Sequence, residues 1–107
     1  MASVLDRIKT LAANGDVRVS EHGYDALVDD DLSAREVVAG AADAMRVEDY
    51  PHYGKGPAVL ALQRDGDNNP IHVLWGIPKG TACPAVIITA YRPDPERWDE
   101  SWTRRKR

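Results

Sequence analysis

Two histidines, His22 and His72, and a Thr-Ala-Tyr-Arg run at 89–92 are the residues whose types suit acid–base chemistry on a charged substrate. An imidazole or a phenol can move a proton that lies within about 3 Å of it. A guanidinium can hold a phosphate through paired N–H donors. His22 falls in the first turn of a predicted helix, where a neutral imidazole is suited to act as a general base. His72 stands in a predicted strand between Ile71 and Val73, whereas His52 lies in a turn-rich loop and reads as ordinary. Thr89 and Tyr91 alternate, so an extended strand carries them on one face with Arg92 next to them. Each has a plainer role to set beside this one. A strand or helix histidine commonly serves as a structural hydrogen-bonder, and a tyrosine packs its ring.

Other chemistry finds little support. The chain has no P-loop, dinucleotide fingerprint, HExxH or serine nucleophile elbow. Asp65 to Asn69 contains D-x-D but lacks the spacing of a calcium loop and reads as a hairpin turn. Cys83 is the single cysteine, which excludes an intramolecular disulfide and two-cysteine metal sites. It stands beside Pro84 with no neighbouring base and is expected to be inert. No cofactor and no metal are expected.

The net charge of -3 hides an asymmetry. Residues 1–57 hold 11 acids and 6 bases, whereas residues 58–107 hold 6 acids and 8 bases. Arg104, Arg105, Lys106 and Arg107 close a basic tail over 103–107, which is either a solvated end or a phosphate-binding cluster.

The elements that must position these residues are short. Ser3 and Asp6 form an acidic capping box ahead of Val4, Leu5, Ile8 and Leu11, which predicts a helix over 3–14 ending at Asn14-Gly15. Val17 and Val19 suggest a strand. Ser20 caps a second helix from Glu21 to about Val28, stopped by Asp29-Asp30-Asp31. Ser33 and Glu36 open a third through Ala42. Strands are expected at 46–49, 58–64, 71–77 and 85–91, with a final short helix from Pro95 to Trp102 carrying Trp98 and Trp102 on one face. The 107 residues suit a single domain, 1–107. The fold class expected is α+β, with short N-terminal helices packed on a twisted antiparallel sheet. No apolar run is long enough for a membrane helix. Met1 to Gly15 mixes Asp6, Arg7 and Lys9 into its apolar positions, unlike a signal peptide, so a cytoplasmic location is expected.

Several strings occur in an order that resembles a bacterial family, domain of unknown function 4258. They are Ser20-Glu21-His22, Ser33 to Val38, Glu48-Asp49-Tyr50-Pro51, Pro70-Ile71-His72-Val73 and, most specifically, Ile88 to Trp98. That family is similar in turn to the RelE and MqsR toxin group, small ribonucleases with helices on a twisted antiparallel sheet. The resemblance implies a RelE-like fold and a metal-independent endoribonuclease of a toxin–antitoxin pair. It also implies RNA as substrate and a zinc-finger antitoxin of the MqsA kind as partner. Carried over by position, His22, His72 and Tyr91 would be catalytic, with Thr89 and Arg92 on the RNA. The pattern departs at Ala26 and Asp30, where arginines are usual, and at Asp31, where glycine is. Two cations are thereby absent and two acids present beside the expected RNA cleft, which weakens phosphate binding. The alternative reading is a non-catalytic protein- or nucleic-acid-binding module of the same fold.

Overall fold

The computed structural model describes residues 2–106. Ser3 Oγ accepts the Asp6 N–H at 3.1 Å and the Asp6 carboxylate accepts the Ser3 N–H at 3.3 Å, the reciprocal box that starts α1 (Val4–Ala13). Strand β1 (Val17–Val19) leads through Ser20, which caps α2 (Glu21–Asp29) by accepting the Gly23 N–H at 2.9 Å. Gly23 is required there, because a Cβ would collide with the Ile87 carbonyl oxygen. Ser33 caps α3 (Ala34–Gly40), which runs into a 3₁₀ turn, Ala41–Asp43, instead of remaining α-helical through Ala42. Four strands follow: β2 (Met45–Tyr50), β3 (Ala58–Arg64), β4 (Pro70–Gly76) and β5 (Ala85–Tyr91).

The sheet has the order β1-β5-β4-β3-β2. Strands β2 to β5 pair antiparallel, as short connections require. The expected all-antiparallel sheet is nevertheless corrected. β1 pairs parallel with β5, so the sheet is mixed and the fold is α+β, with three α-helices among the described residues. Hairpin logic holds for neighbours in sequence, and β1 reaches β5 only after two helices and three strands have intervened.

One face carries the core. Val59, Ala61, Ile71, Val73, Trp75 and Ile87 meet Leu5 and Ile8 of α1 and Val37 of α3 in one buried cluster. Gln63 is the buried polar residue in this layer. Its amide donates to the Val37 carbonyl at 2.7 Å and accepts the Trp75 indole N–H at 2.7 Å, tying α3 to the sheet.

The opposite face is set by the register. His72 lies opposite Tyr91, Leu74 opposite Thr89, and Gly76 opposite Val86. The register shifts by one between Leu74 and Trp75, which makes Ile88 a bulged extra residue. Without that bulge Val86 and Tyr91 would point to opposite faces; with it they share one.

The predicted C-terminal helix is also corrected. Residues 95–97 form a turn, and Trp98 bridges antiparallel to Arg105. Asp94 accepts the Glu96 N–H, and Asp99 accepts the Ser101 N–H. These short polar side chains offer the backbone an alternative to helical bonds. Trp102, at φ 62°, cannot continue a right-handed helix, so Trp98 and Trp102 share no helical face. Among the described residues no helix is long and apolar enough to cross a membrane.

Replacing Gln63 by Leu strands the Trp75 N–H and the Val37 carbonyl in the core. Each unsatisfied group costs about 1–3 kcal/mol, so urea denaturation of Gln63→Leu should show a loss of about 2–4 kcal/mol against the wild type.

Candidate functional site

His72 lies in the middle of β4 and is 0% exposed. Its Nε2 is 2.6 Å from the Trp102 carbonyl oxygen. A carbonyl only accepts, so Nε2 carries the proton and Nδ1 is left with a lone pair. The Tyr91 hydroxyl, 3.2 Å from Nδ1, donates to it. The Trp98 ring stands perpendicular to the imidazole at 4.4 Å between centroids, and the Arg105 guanidinium lies 4.9 Å from the Trp98 ring centre. Arg105 donates to the Glu48 carboxylate at 3.1 Å, and the Tyr50 hydroxyl donates to the same carboxylate at 2.8 Å. The C-terminal segment is thus fastened across the outer face from β5 to β2.

Burial pushes the His72 imidazole below its ordinary value, and the nearby Arg105 charge acts in the same direction; the Trp102 carbonyl partly opposes them. Burial also raises the Tyr91 phenol, although Arg105 pulls the other way. Both effects keep the proton on the phenol and the imidazole neutral. The Tyr50 hydrogen bond, aided by Arg105, holds the Glu48 carboxyl below its usual range.

Tyr91 opens into a cavity of about 700 Å³ that Arg92, Arg97, Trp98, Arg105 and Lys106 also line. Asp94 and Glu96 complete it, so four cations face two carboxylates. The ion pair with Glu48 occupies one NH1 donor of Arg105, and the guanidinium also faces the Tyr50 hydroxyl. Arg92 is more committed. Its backbone N–H goes to the Asp30 carboxylate at 2.7 Å, its Nε–H to the Asp30 carbonyl at 3.2 Å, and its NH1 to Asp65 at 2.8 Å.

The expected residues therefore divide. His72, Tyr91 and Arg105 come together, and Lys106 lines the same cavity. His22 does not join them. It is exposed on α2 and lines a separate cavity of about 660 Å³ with Arg18, Glu21, Asp25, Tyr53 and Lys55, sharing no residue with the first. An arrangement in which His22 and Tyr91 work on one phosphodiester is absent here, because the N-terminal end of α2, which carries His22, packs on β5 at Ile87 and Ile88, and only the other end of the helix reaches Arg92. Thr89 is half-buried between the two cavities. Arg104 is exposed, and its carbonyl accepts the Asp99 N–H at 2.9 Å. Arg107 lies outside the described residues. Among residues 104–106 the basic tail is folded back, with the Lys106 N–H on the Arg97 carbonyl at 2.8 Å.

Sequence reasoning missed Arg97, Glu48 and the walls of the His22 cavity. Arg97 sits directly before Trp98, and that neighbour was the available signal. Glu48 stood in the Glu48-Asp49-Tyr50-Pro51 string that resembles the family, but nothing local tied it to Arg105, and Arg18 carried no signal, because strand pairing alone brings it to this face. Among the described residues no group of three or more His, Cys, Asp and Glu side chains is arranged to hold a metal ion.

The geometry defines a small α+β domain with a tyrosine–histidine pair beneath a cation-rich cleft. A family model described as "Domain of unknown function (DUF4258)" matches residues 19–92, and the chain belongs to that family. No curated protein and no solved structure matches the chain.

The lowered His72 value carries a sign. The unfolded chain takes up a proton near the ordinary histidine value of about 6.5, and the folded chain resists it. Stability should therefore fall as pH drops below about 6.5, down to the folded value. His72→Gln should lack that portion of the slope when the two proteins are compared by urea denaturation between about pH 5 and 8.

Proposed function

We propose that this chain is a metal-independent endoribonuclease of the RelE and MqsR kind, acting at the Tyr91 cavity. The observation that carries the reading is the Tyr91 phenol, held by a buried imidazole at the mouth of a cleft lined by Arg97, Arg105 and Lys106. In RNA cleavage the ribose 2′-oxygen bonds to phosphorus and the bond to the 5′-oxygen breaks. Tyr91, which retains its proton at neutral pH, turns its O–H from His72 Nδ1 to the departing 5′-oxygen and gives that proton up, and the 2′ proton leaves to solvent. Arg97, Arg105 and Lys106 answer the charge that gathers on the phosphorane oxygens. Arg105 also favours the transient phenolate. His72 touches no substrate in this scheme. It is a positioning residue that fixes the phenol oxygen at the cleft and anchors Trp102. The resemblance to the toxin group implies a RelE-like fold relationship and a zinc-finger antitoxin of the MqsA kind that holds the activity in check.

One observation favours a second reading, a non-catalytic binding module. Among the described residues no imidazole nitrogen is free at the Tyr91 cavity, since His22 lines the other one and both nitrogens of His72 are engaged.

The two readings separate in one assay. If Tyr91 is the acid, Tyr91→Phe should lower cleavage of single-stranded RNA by about 10²-fold in a chain that still folds, at a cost of about 1–3 kcal/mol for the His72 Nδ1 left without its donor. Intact RNA after incubation with the wild-type chain would support the module instead. Arg97→Ala combined with Lys106→Ala should reduce the salt dependence of RNA binding by about 1.4 units of slope, at about 0.7 for each single-strand phosphate that is no longer neutralised. An unchanged slope would remove these two cations from the scheme.

A further inference from the structure

The cavity beside His22 is unused by the chemistry above, yet it is built like a binding site. Its floor is apolar: Val86, Ile77 and Ile88 line it, and Gly76 leaves room where a Cβ would press on Ile88 at 2.7 Å. Its rim holds the opposed charges Arg18 and Lys55 against Glu21 and Asp25, with the partly exposed Tyr53 ring beside them. Among the described residues none of these four charged side chains enters an ion pair. An apolar floor with a few uncommitted polar groups is the usual form of a small-ligand pocket.

Its position relative to Tyr91 gives it a meaning. Arg18 pairs with Val86 and Val86 with Gly76, so this cavity opens on the outer face of the sheet, the face that carries Tyr91 and His72. The bulge at Ile88 is what puts both on one side. Ile88 lines one cavity and Tyr91 the other, three residues along the same strand, or roughly 10 Å at strand rise. Thr89 and Leu74, both half-buried, form the saddle between them.

We infer that the His22 cavity is a nucleobase subsite for the same RNA strand whose phosphate sits at Tyr91, and that the base it takes is guanine. This rests on the RNA reading above. Guanine presents O6 and N7 acceptors on one edge, which suit Arg18 or Lys55, and N–H donors on the neighbouring edge, which suit the Asp25 or Glu21 carboxylate. Adenine and the pyrimidines lack one half of that pattern. The apolar floor and the Tyr53 ring accept the base plane, since every base has a face to stack.

The test uses the full chain carrying Tyr91→Phe, so that RNA remains intact, with fluorescent single-stranded octaribonucleotides that contain either uridine alone or a central guanosine. Guanosine should tighten binding about tenfold, the size of one good paired contact to a base edge. Adding Glu21→Gln and Asp25→Asn should abolish that preference while the uridine octamer binds at least as tightly as before, because two acids leave the path of the strand. Tyr53→Ala should weaken both octamers. Equal binding of the two octamers, unaltered by the carboxylate substitutions, would overturn the subsite and leave RNA binding at the Tyr91 cavity standing. No measurable binding of either octamer at low salt would overturn both, because the RNA reading itself would then have failed.

Discussion

A neutral imidazole has one donor and one acceptor, and burying it in a sheet obliges the structure to supply a partner for each. At His72 those partners are the Trp102 carbonyl and the Tyr91 hydroxyl, and much of the outer face follows from that requirement. The carbonyl must come from a segment that crosses the sheet, so residues 98–106 are drawn back over β4 and Trp102 takes its left-handed conformation. Trp98 closes the site against solvent, and its other side supports Arg105. The phenol is drawn in the other direction, inward at its proton and outward at its remaining lone pair. One buried group therefore positions a phenol, a guanidinium and the segment 98–106 together. A charged imidazole would carry protons on both nitrogens, leaving the Tyr91 hydroxyl without an acceptor there, which is why the site works as a unit only when His72 is neutral.

The bulge at Ile88 is the second organising element. A strand alternates faces strictly, so one extra residue reverses the facing of everything beyond it. Val86 and Tyr91 thereby share a face, and the strand between them becomes a track joining two cavities. The bulge lies where Ser20, at the start of α2, donates its hydroxyl to the Ile88 carbonyl at 3.1 Å. The helix that carries His22 is thus fastened to the residue at which β5 changes its facing.

How much of this was legible in the sequence depends on the range of each interaction. Capping serines at 3, 20 and 33, alternation in 71–77 and the Asp65–Asn69 turn are local signals, and each marked a real element. The partner of a short strand is not local, which is why Val17–Val19 was legible as a strand while its parallel pairing with β5 was not. Pro95 to Trp102 was misleading because Asp94-Pro95 has the residue types of a helix start. The competing bonds from Asp99 and Ser101, and the pull of His72 on Trp102, are visible only once the chain has folded. Tyr91 and His72 were recognisable as a chemical pair by type. That they lie directly opposite depends on a register the seven residues 78–84 do not specify. His22 shows the converse, a residue of the right type at a helix start that the topology carries to another cavity.

The acidic residues at 30 and 31 redistribute charge in a way that bears on the proposed RNA cleft. Asp31 occupies a left-handed position, φ 52°, the backbone geometry for which glycine is best suited and which aspartate tolerates. Asp30 engages Arg92 through both its carboxylate and its carbonyl, and Asp65 completes the clamp, binding the end of α2 to the β3–β4 turn. A cation that resemblance alone would assign to RNA is thereby held in a structural pairing. Arg97, Arg105 and Lys106 are left to supply positive charge beside Tyr91, and all three follow the stretch 19–92 that the family model matches. If phosphate binds at this cavity, its affinity in this chain is set by a folded-back C-terminal segment whose position depends on the His72–Trp102 hydrogen bond. Charge and acid are then coupled through one buried side chain, so a change at position 72 must disturb the cations and the phenol together, whereas a change at Arg97 removes one cation and leaves the phenol where it is.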